Sequence, residues 1–92
     1  MIPTKLCQNL DEVKALGDYF IDRRNPARPA IFIFLPHDTV PSYLRLYQVN
    51  REGGDNSWWQ LSGPDERPTL HPSINAPGLW HGYLRDGQLV EC

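Results

Sequence analysis

Asp86-Gly87 constrains this chain more than any other pair of residues. A two-residue hairpin loop of type I′ needs positive φ at both central positions, and Asp-Gly supplies this readily. The runs Trp80 to Leu84 and Gln88 to Glu91 flank it, so the spacing predicts a β-hairpin. An isolated hairpin is marginal in water and needs further strands against its apolar face. The rest of the chain must therefore contribute a sheet. With 92 residues we expect a single domain, spanning 1–92, that buries only about 60–65% of its unfolded surface.

Other strands can be read upstream. Ala30 to Leu35 is apolar without alternation and bounded by Pro29 and Pro36, the pattern of a central strand covered on both faces. Tyr43 to Val49 alternates, with Leu44 and Leu46 on one face and Tyr43, Arg45 and Tyr47 on the other. The glycine-rich stretch from Arg51 to Asn56 reads as a turn leading into a strand from Ser57 to Ser62, hairpin-paired with its predecessor. Thr69 to Ile74 contains Pro72 and can only be an edge strand or an extended segment.

The first quarter of the chain reads differently. Asn9 can cap a helix, with Glu12 in capping-box position. Leu10, Val13, Leu16 and Phe20 recur at helical spacing, and the pattern should end before Asn25-Pro26. Gly17 would weaken such a helix by up to about 1 kcal/mol. The expected fold class is α+β, one N-terminal helix packed on an antiparallel sheet of about five strands.

Composition narrows the function classes. The formal charge is −2, so no global field draws the chain toward nucleic acid. No apolar run approaches the roughly 20 residues of a membrane-spanning helix. No signal peptide is visible, and two isolated cysteines, Cys7 and Cys92, fit a reduced, cytoplasmic protein.

The densest stretch of special residues lies between Trp58 and Gly87. There, Trp59 precedes Gly63-Pro64-Asp65-Glu66-Arg67-Pro68-Thr69-Leu70, then Pro72-Ser73-Ile74, and finally His81-x-Tyr83-Leu84-x-Asp86-Gly87. This run resembles a family of small bacterial, prophage and phage domains of unknown function with an ERPTLxPSI segment and an HxxLxDG-type hairpin. Members commonly look like zinc proteins, with a C-P-x-C knuckle and a cysteine before the hairpin histidine. Here the knuckle positions read Leu35-Pro36-His37-Asp38, and Trp80 precedes His81. Tetrahedral zinc needs four soft or imidazole ligands. A set of His37, His71, His81 and Cys92 is conceivable, but it contains no close pair. Apolar packing in place of the metal is the expectation, with no cofactor.

A nucleophilic reading rests on Ser73 and His81, with Asp86 or Asp65 to orient the imidazole. No nucleophile elbow surrounds Ser73, and a serine after proline commonly bonds to nearby backbone. Two surfaces suit binding. Arg23, Arg24 and Arg28 cluster at the expected helix end, where cations complement the dipole or grip anions. Tyr43, Tyr47, Trp58, Trp59 and Trp80 place rings on both sheet faces, and with Arg67 they are residue types that dominate interfaces.

The first expectation is therefore a small non-enzymatic binding module of phage or prophage type. It would engage a protein or ribonucleoprotein partner, with direct nucleic-acid contact open and no membrane contact. An inhibitor of a bacterial defence complex is one concrete form. The alternatives are a hydrolase-like or metal-dependent enzyme using His81 with Ser73 or a metal, and a structural zinc-binding domain.

Overall fold

The computed structural model describes residues 1–26, 28–46 and 59–92. Among these residues the chain forms short strands: β1 (Ile2–Pro3), β2 (Lys5–Leu6), β3 (Asp18–Asp22), β4 (Ala30–Ile33), β5 (Ser42–Arg45), β6 (Gln60–Ser62), β7 (Thr69–His71), β8 (Ile74–Ala76), β9 (Trp80–Arg85) and β10 (Gln88–Glu91). One four-stranded sheet runs β1-β10-β9-β8 and a second runs β2-β3-β4-β5, with β6-β7 as a separate pair. Pairing is antiparallel except between β2 and β3.

The expected N-terminal helix is absent, which corrects the α+β assignment to a nearly all-β fold. Its capping box does form. The Asn9 side chain accepts from the Glu12 N–H at 3.2 Å and its amide donates to the Glu12 carboxylate at 3.1 Å. The cap starts only one turn of 3-10 helix, Leu10–Glu12. Asp18 then accepts the Lys14 and Ala15 N–H groups at 3.2 and 3.1 Å, and Gly17 turns the chain at φ 91°. Beyond it, Tyr19 and Ile21 point into the core at a spacing of two. Leu10 and Leu16, members of the anticipated helical stripe, are exposed. Isolated helices this short are marginal and depend on tertiary burial; here the strand face takes that burial.

The downstream expectations fare unevenly. The Asp86-Gly87 hairpin forms, with φ values of 49° and 74° at the two turn residues. In β4, Ala30, Ile31 and Ile33 are buried, as a central strand requires, but Phe32 is only half-buried. Among the described residues no helix covers it; Phe32 instead lies between Phe20 and Tyr43 on the outer sheet face. Leu44 and Leu46 point inward as expected. The whole glycine-rich turn, together with Tyr47 and Trp58, lies outside the described residues. The strand after it, β6, pairs with β7 rather than with β5. Among the described residues Trp59 meets Leu46 through a single parallel bridge, and the connecting part of the expected hairpin lies outside them.

The two four-stranded sheets close on one core. Tyr19, Ile21, Ile31, Ile33, Leu44 and Leu46 from one sheet side meet Ile74, Trp80, Leu84 and Leu89 from the other, joined by Leu70 of the β6-β7 pair. Among the described residues no helix is long and apolar enough to cross a membrane.

The Gly63-to-Thr69 segment ties the two sheets together. The Tyr19 hydroxyl donates to the Asp65 carbonyl, and Arg23 grips the Asp65 carboxylate with two bonds of 2.7 and 2.9 Å. The Gly87 N–H donates to the Pro68 carbonyl at 2.9 Å, the Asp86 N–H to Thr69 Oγ1 at 2.9 Å, and Thr4 Oγ1 to the Gly87 carbonyl at 2.6 Å. The Arg-Pro-Thr run thus fastens the hairpin tip. Arg67 itself pairs with Asp86 at 3.6 Å on the exposed surface, a contact worth about 0–1 kcal/mol.

Tyr19 makes this latch pH-sensitive. Burial, reinforced by the Asp65 and Glu66 charges, pushes its hydroxyl up from 10.0 to about 12. In the unfolded chain the phenol ionises near pH ~10. The fold therefore keeps this stabilisation in full below pH ~10 and loses it as pH rises toward the folded value, by about 2–3 kcal/mol in all. Urea denaturation at pH 9 and pH 11.5 should show a larger stability loss for the parent than for Tyr19→Phe. Equal losses would exclude Tyr19 as the alkaline trigger.

Candidate functional site

The outer face of the β8–β9 pair carries the candidate site. The chain leaves β7 through Pro72, preceded by a cis peptide bond, and enters β8 at Ile74. Ile74 is buried, so its strand neighbours Ser73 and Asn75 face outward. A tight turn over Ala76-Pro77-Gly78-Leu79 reverses the chain. Leu79 N–H donates to the Ala76 carbonyl at 2.9 Å and Gly78 takes φ 74°, the left-handed position a type II turn assigns to glycine after proline. In β9, Trp80, Gly82 and Leu84 turn inward while His81, Tyr83 and Arg85 turn outward. Trp80 is therefore core, not an open-face aromatic. Its ring lies beneath Gly82, where an added Cβ would run into the indole and the Val90 carbonyl.

This register brings Ser73 and His81 together. Asn75 stands directly opposite His81, and Ser73 is its diagonal neighbour on the same face. Ser73 Oγ lies 3.3 Å from His81 Nε2, the same nitrogen that Cys92 Sγ approaches to 3.9 Å. The Cys92 N–H bonds to the His81 carbonyl at 3.1 Å, which continues the β9–β10 ladder past its last pair. Asn75, His81 and Cys92 thus form a row across the sheet. Trp59, half-buried against the core, donates its indole N–H to the Ser73 carbonyl at 3.4 Å and holds the serine backbone from behind. Beyond the row, the Arg85 guanidinium covers the Tyr83 ring, 4.7 Å from its centroid.

The site pairs a hydroxyl with a base within reach of a proton transfer. The carboxylates expected to orient His81 are elsewhere. Asp86 lies five residues along β9, about 16 Å away by strand rise, and Asp65 is held by Arg23. That same guanidinium keeps the Asp65 carboxyl below its ordinary value. Among the described residues no carboxylate bonds to the His81 ring.

The other sequence-selected residues are dispersed. Arg23 and Arg24 follow strand β3 and have no helix end to cap; they pair with Asp65 and Asp22. Arg28 and Tyr43 line a shallow cleft with Arg24 on the other sheet. Of the four residues considered for a metal, His81 and Cys92 are adjacent. His71 lies on β7 opposite Gln60, and His37 occupies a turn with φ 66°. Among the described residues no three His, Cys, Asp or Glu side chains cluster as metal ligands. Pro36 and His37 do line one pocket with Trp80, beside Ile2, Leu16 and Leu89. The segment that the resemblance treats as a knuckle thus borders the same pocket as the residue before His81, among largely apolar groups.

Asn75 is not among the residues singled out from the sequence. The Pro77-Gly78 turn signal, set between Ile74 and Trp80, was the cue that would have paired Asn75 with His81.

No curated protein and no solved structure matches the chain. Residues 43–92 match the family model described as Bacterial ubiquitination-like system serine protease (BubE). The matched segment contains Ser73, His81, Asn75 and Cys92. The match points to an enzyme and overturns the expected non-enzymatic binding module, and it lends no support to a phage setting or an inhibitor of bacterial defence. It covers more than half of the chain, and this protein accordingly belongs to the BubE family of bacterial ubiquitination-like system serine proteases.

Proposed function

We propose that this chain is a serine hydrolase that cleaves an acyl bond of a protein substrate within a bacterial ubiquitination-like system, with Ser73 as nucleophile and His81 as general base. The observation that carries the reading is the 3.3 Å approach of Ser73 Oγ to His81 Nε2 inside the segment that matches the protease family. Ser73 Oγ forms a bond to the substrate carbonyl carbon while its proton passes to His81 Nε2. The carbonyl π pair moves onto oxygen as an oxyanion. When that intermediate collapses, the bond to the leaving amine breaks and the amine takes the proton from His81. Water then attacks the acyl-serine with His81 again as base, releasing the acid and restoring Ser73. The protein partner expected from the sequence is, in this reading, the substrate.

Cys92 offers a second nucleophile to the same imidazole nitrogen, at 3.9 Å. The shorter contact and the family's description as a serine protease favour Ser73. The test is labelling with a fluorophosphonate probe and localisation by peptide mass spectrometry. One adduct on Ser73 is expected, lost in His81→Ala and kept in Cys92→Ala. A parent protein that stays unlabelled, or turnover that depends on Cys92 and not on Ser73, would overturn the assignment.

A further inference from the structure

Acyl transfer at Ser73 creates an oxyanion, and an enzyme needs a hydrogen-bond donor aimed at it before the reaction starts. The geometry points to Asn75 as that donor, an inference that rests on the serine-hydrolase reading above. Three observations place it. Asn75 is directly opposite His81 in the β8–β9 register, a position that sets the two Cβ atoms about 4.5–5.5 Å apart. It is two residues beyond Ser73 and projects from the same face, since Ile74 between them is buried. Its side chain is exposed, and among the described residues it has no hydrogen-bond partner. Asn75 therefore borders both the nucleophile and the base, with an amide left free to meet a third group.

The choice of donor over imidazole orienter follows from that freedom. A group that fixes the tautomer of His81 would hold the ring in the resting enzyme, as an orienting side chain does in catalytic triads. The hydrogen bonds that the described residues make to the His81 ring are both at Nε2, from Ser73 and Cys92. An oxyanion donor, by contrast, finds its partner only once charge develops on the substrate oxygen. Asn is a residue type used for this role, because its amide carries two N–H donors and no charge that would repel the oxyanion.

The experiment measures p-nitrophenyl acetate hydrolysis by the full chain for the parent, Ser73→Ala, Asn75→Ala and Asn75→Asp. Asn75→Asp keeps the shape but puts a carboxylate where the amide donated. Both Asn75 variants should lose about 10²–10³-fold in kcat with KM little changed. The pH limb of kcat/KM should stay in place in Asn75→Ala, and thermal melting should match the parent. Turnover that survives Ser73→Ala overturns the serine reading and this one with it. Turnover lost in Ser73→Ala but undiminished in Asn75→Ala overturns the Asn75 assignment alone. So does an Asn75→Asp variant that keeps its activity, or a shifted pH limb in Asn75→Ala, because either means that Asn75 acts through the imidazole.

Discussion

Ser73→Ala should abolish acyl turnover while leaving the fold intact. The substitution removes the only atom on Ser73 that can attack, yet takes away little packing, because the side chain is half-exposed and its hydroxyl bonds to an exposed histidine. Surface changes of this kind usually shift stability by within about 0.5 kcal/mol. His81→Ala removes the proton acceptor, a role worth about 10²–10⁴-fold in rate. Because the two residues act as one unit, their losses should not add. The double variant should be no slower than Ser73→Ala alone, measured as kcat/KM on an activated ester and on a peptide ester. Strictly multiplicative losses would mean that Ser73 and His81 act independently, and the 3.3 Å contact would then be incidental.

Gly17→Ala should destabilise the protein by about 2–4 kcal/mol. A helical reading of residues 9–24 requires the opposite sign, since alanine is the better helix former by about 1 kcal/mol. In the structure Gly17 sits at φ 91° with a backbone carbonyl, that of Pro3, 2.6 Å from where a Cβ would stand. Holding a non-glycine residue there costs about 1–3 kcal/mol, and the clash with backbone cannot be relieved by a rotamer change. The turn also carries two ladder bonds, from Lys5 N–H to the Gly17 carbonyl and from Gly17 N–H to the Phe34 carbonyl, at 3.0 and 2.9 Å. Any displacement therefore loosens both neighbouring strands. Chemical denaturation of Gly17→Ala and the parent gives the sign directly, and a more stable variant would contradict this turn.

The same residues show why part of the fold was legible and part was not. Asn9 and Glu12 make the bonds that their types and spacing imply, because a capping box is closed by residues three apart. What they cannot convey is how far the helix continues. Leu10, Val13, Leu16 and Phe20 fit a helical stripe, but Tyr19 and Ile21 fit a strand equally well over so short a run. The contest was settled by β4, whose Ile31 and Ile33 pair with Ile21 and Tyr19. Propensity is a weak term against the burial of a whole strand face. Pro72 was legible in the same local way, since it separates β7 from β8 and no ladder donor is lost within either.

The site divides along the same line. Ser73 and His81 could be paired from the sequence by side-chain chemistry, but the absence of a nucleophile elbow and the proline before Ser73 favoured an ordinary structural role. Arginines and aromatics drew more notice, and the structure spends several of them on packing and pairing: Trp80 in the core, Arg23 on Asp65, Arg24 on Asp22. Local sequence determined the turns of this protein, Asp86-Gly87 and Pro77-Gly78, because dihedral preference is set within a few residues. Only the tertiary structure decided that Ser73 and His81 meet. That contact depends on the register of β8 against β9, and register is chosen by which residues the assembled core can bury, here Ile74, Trp80 and Leu84.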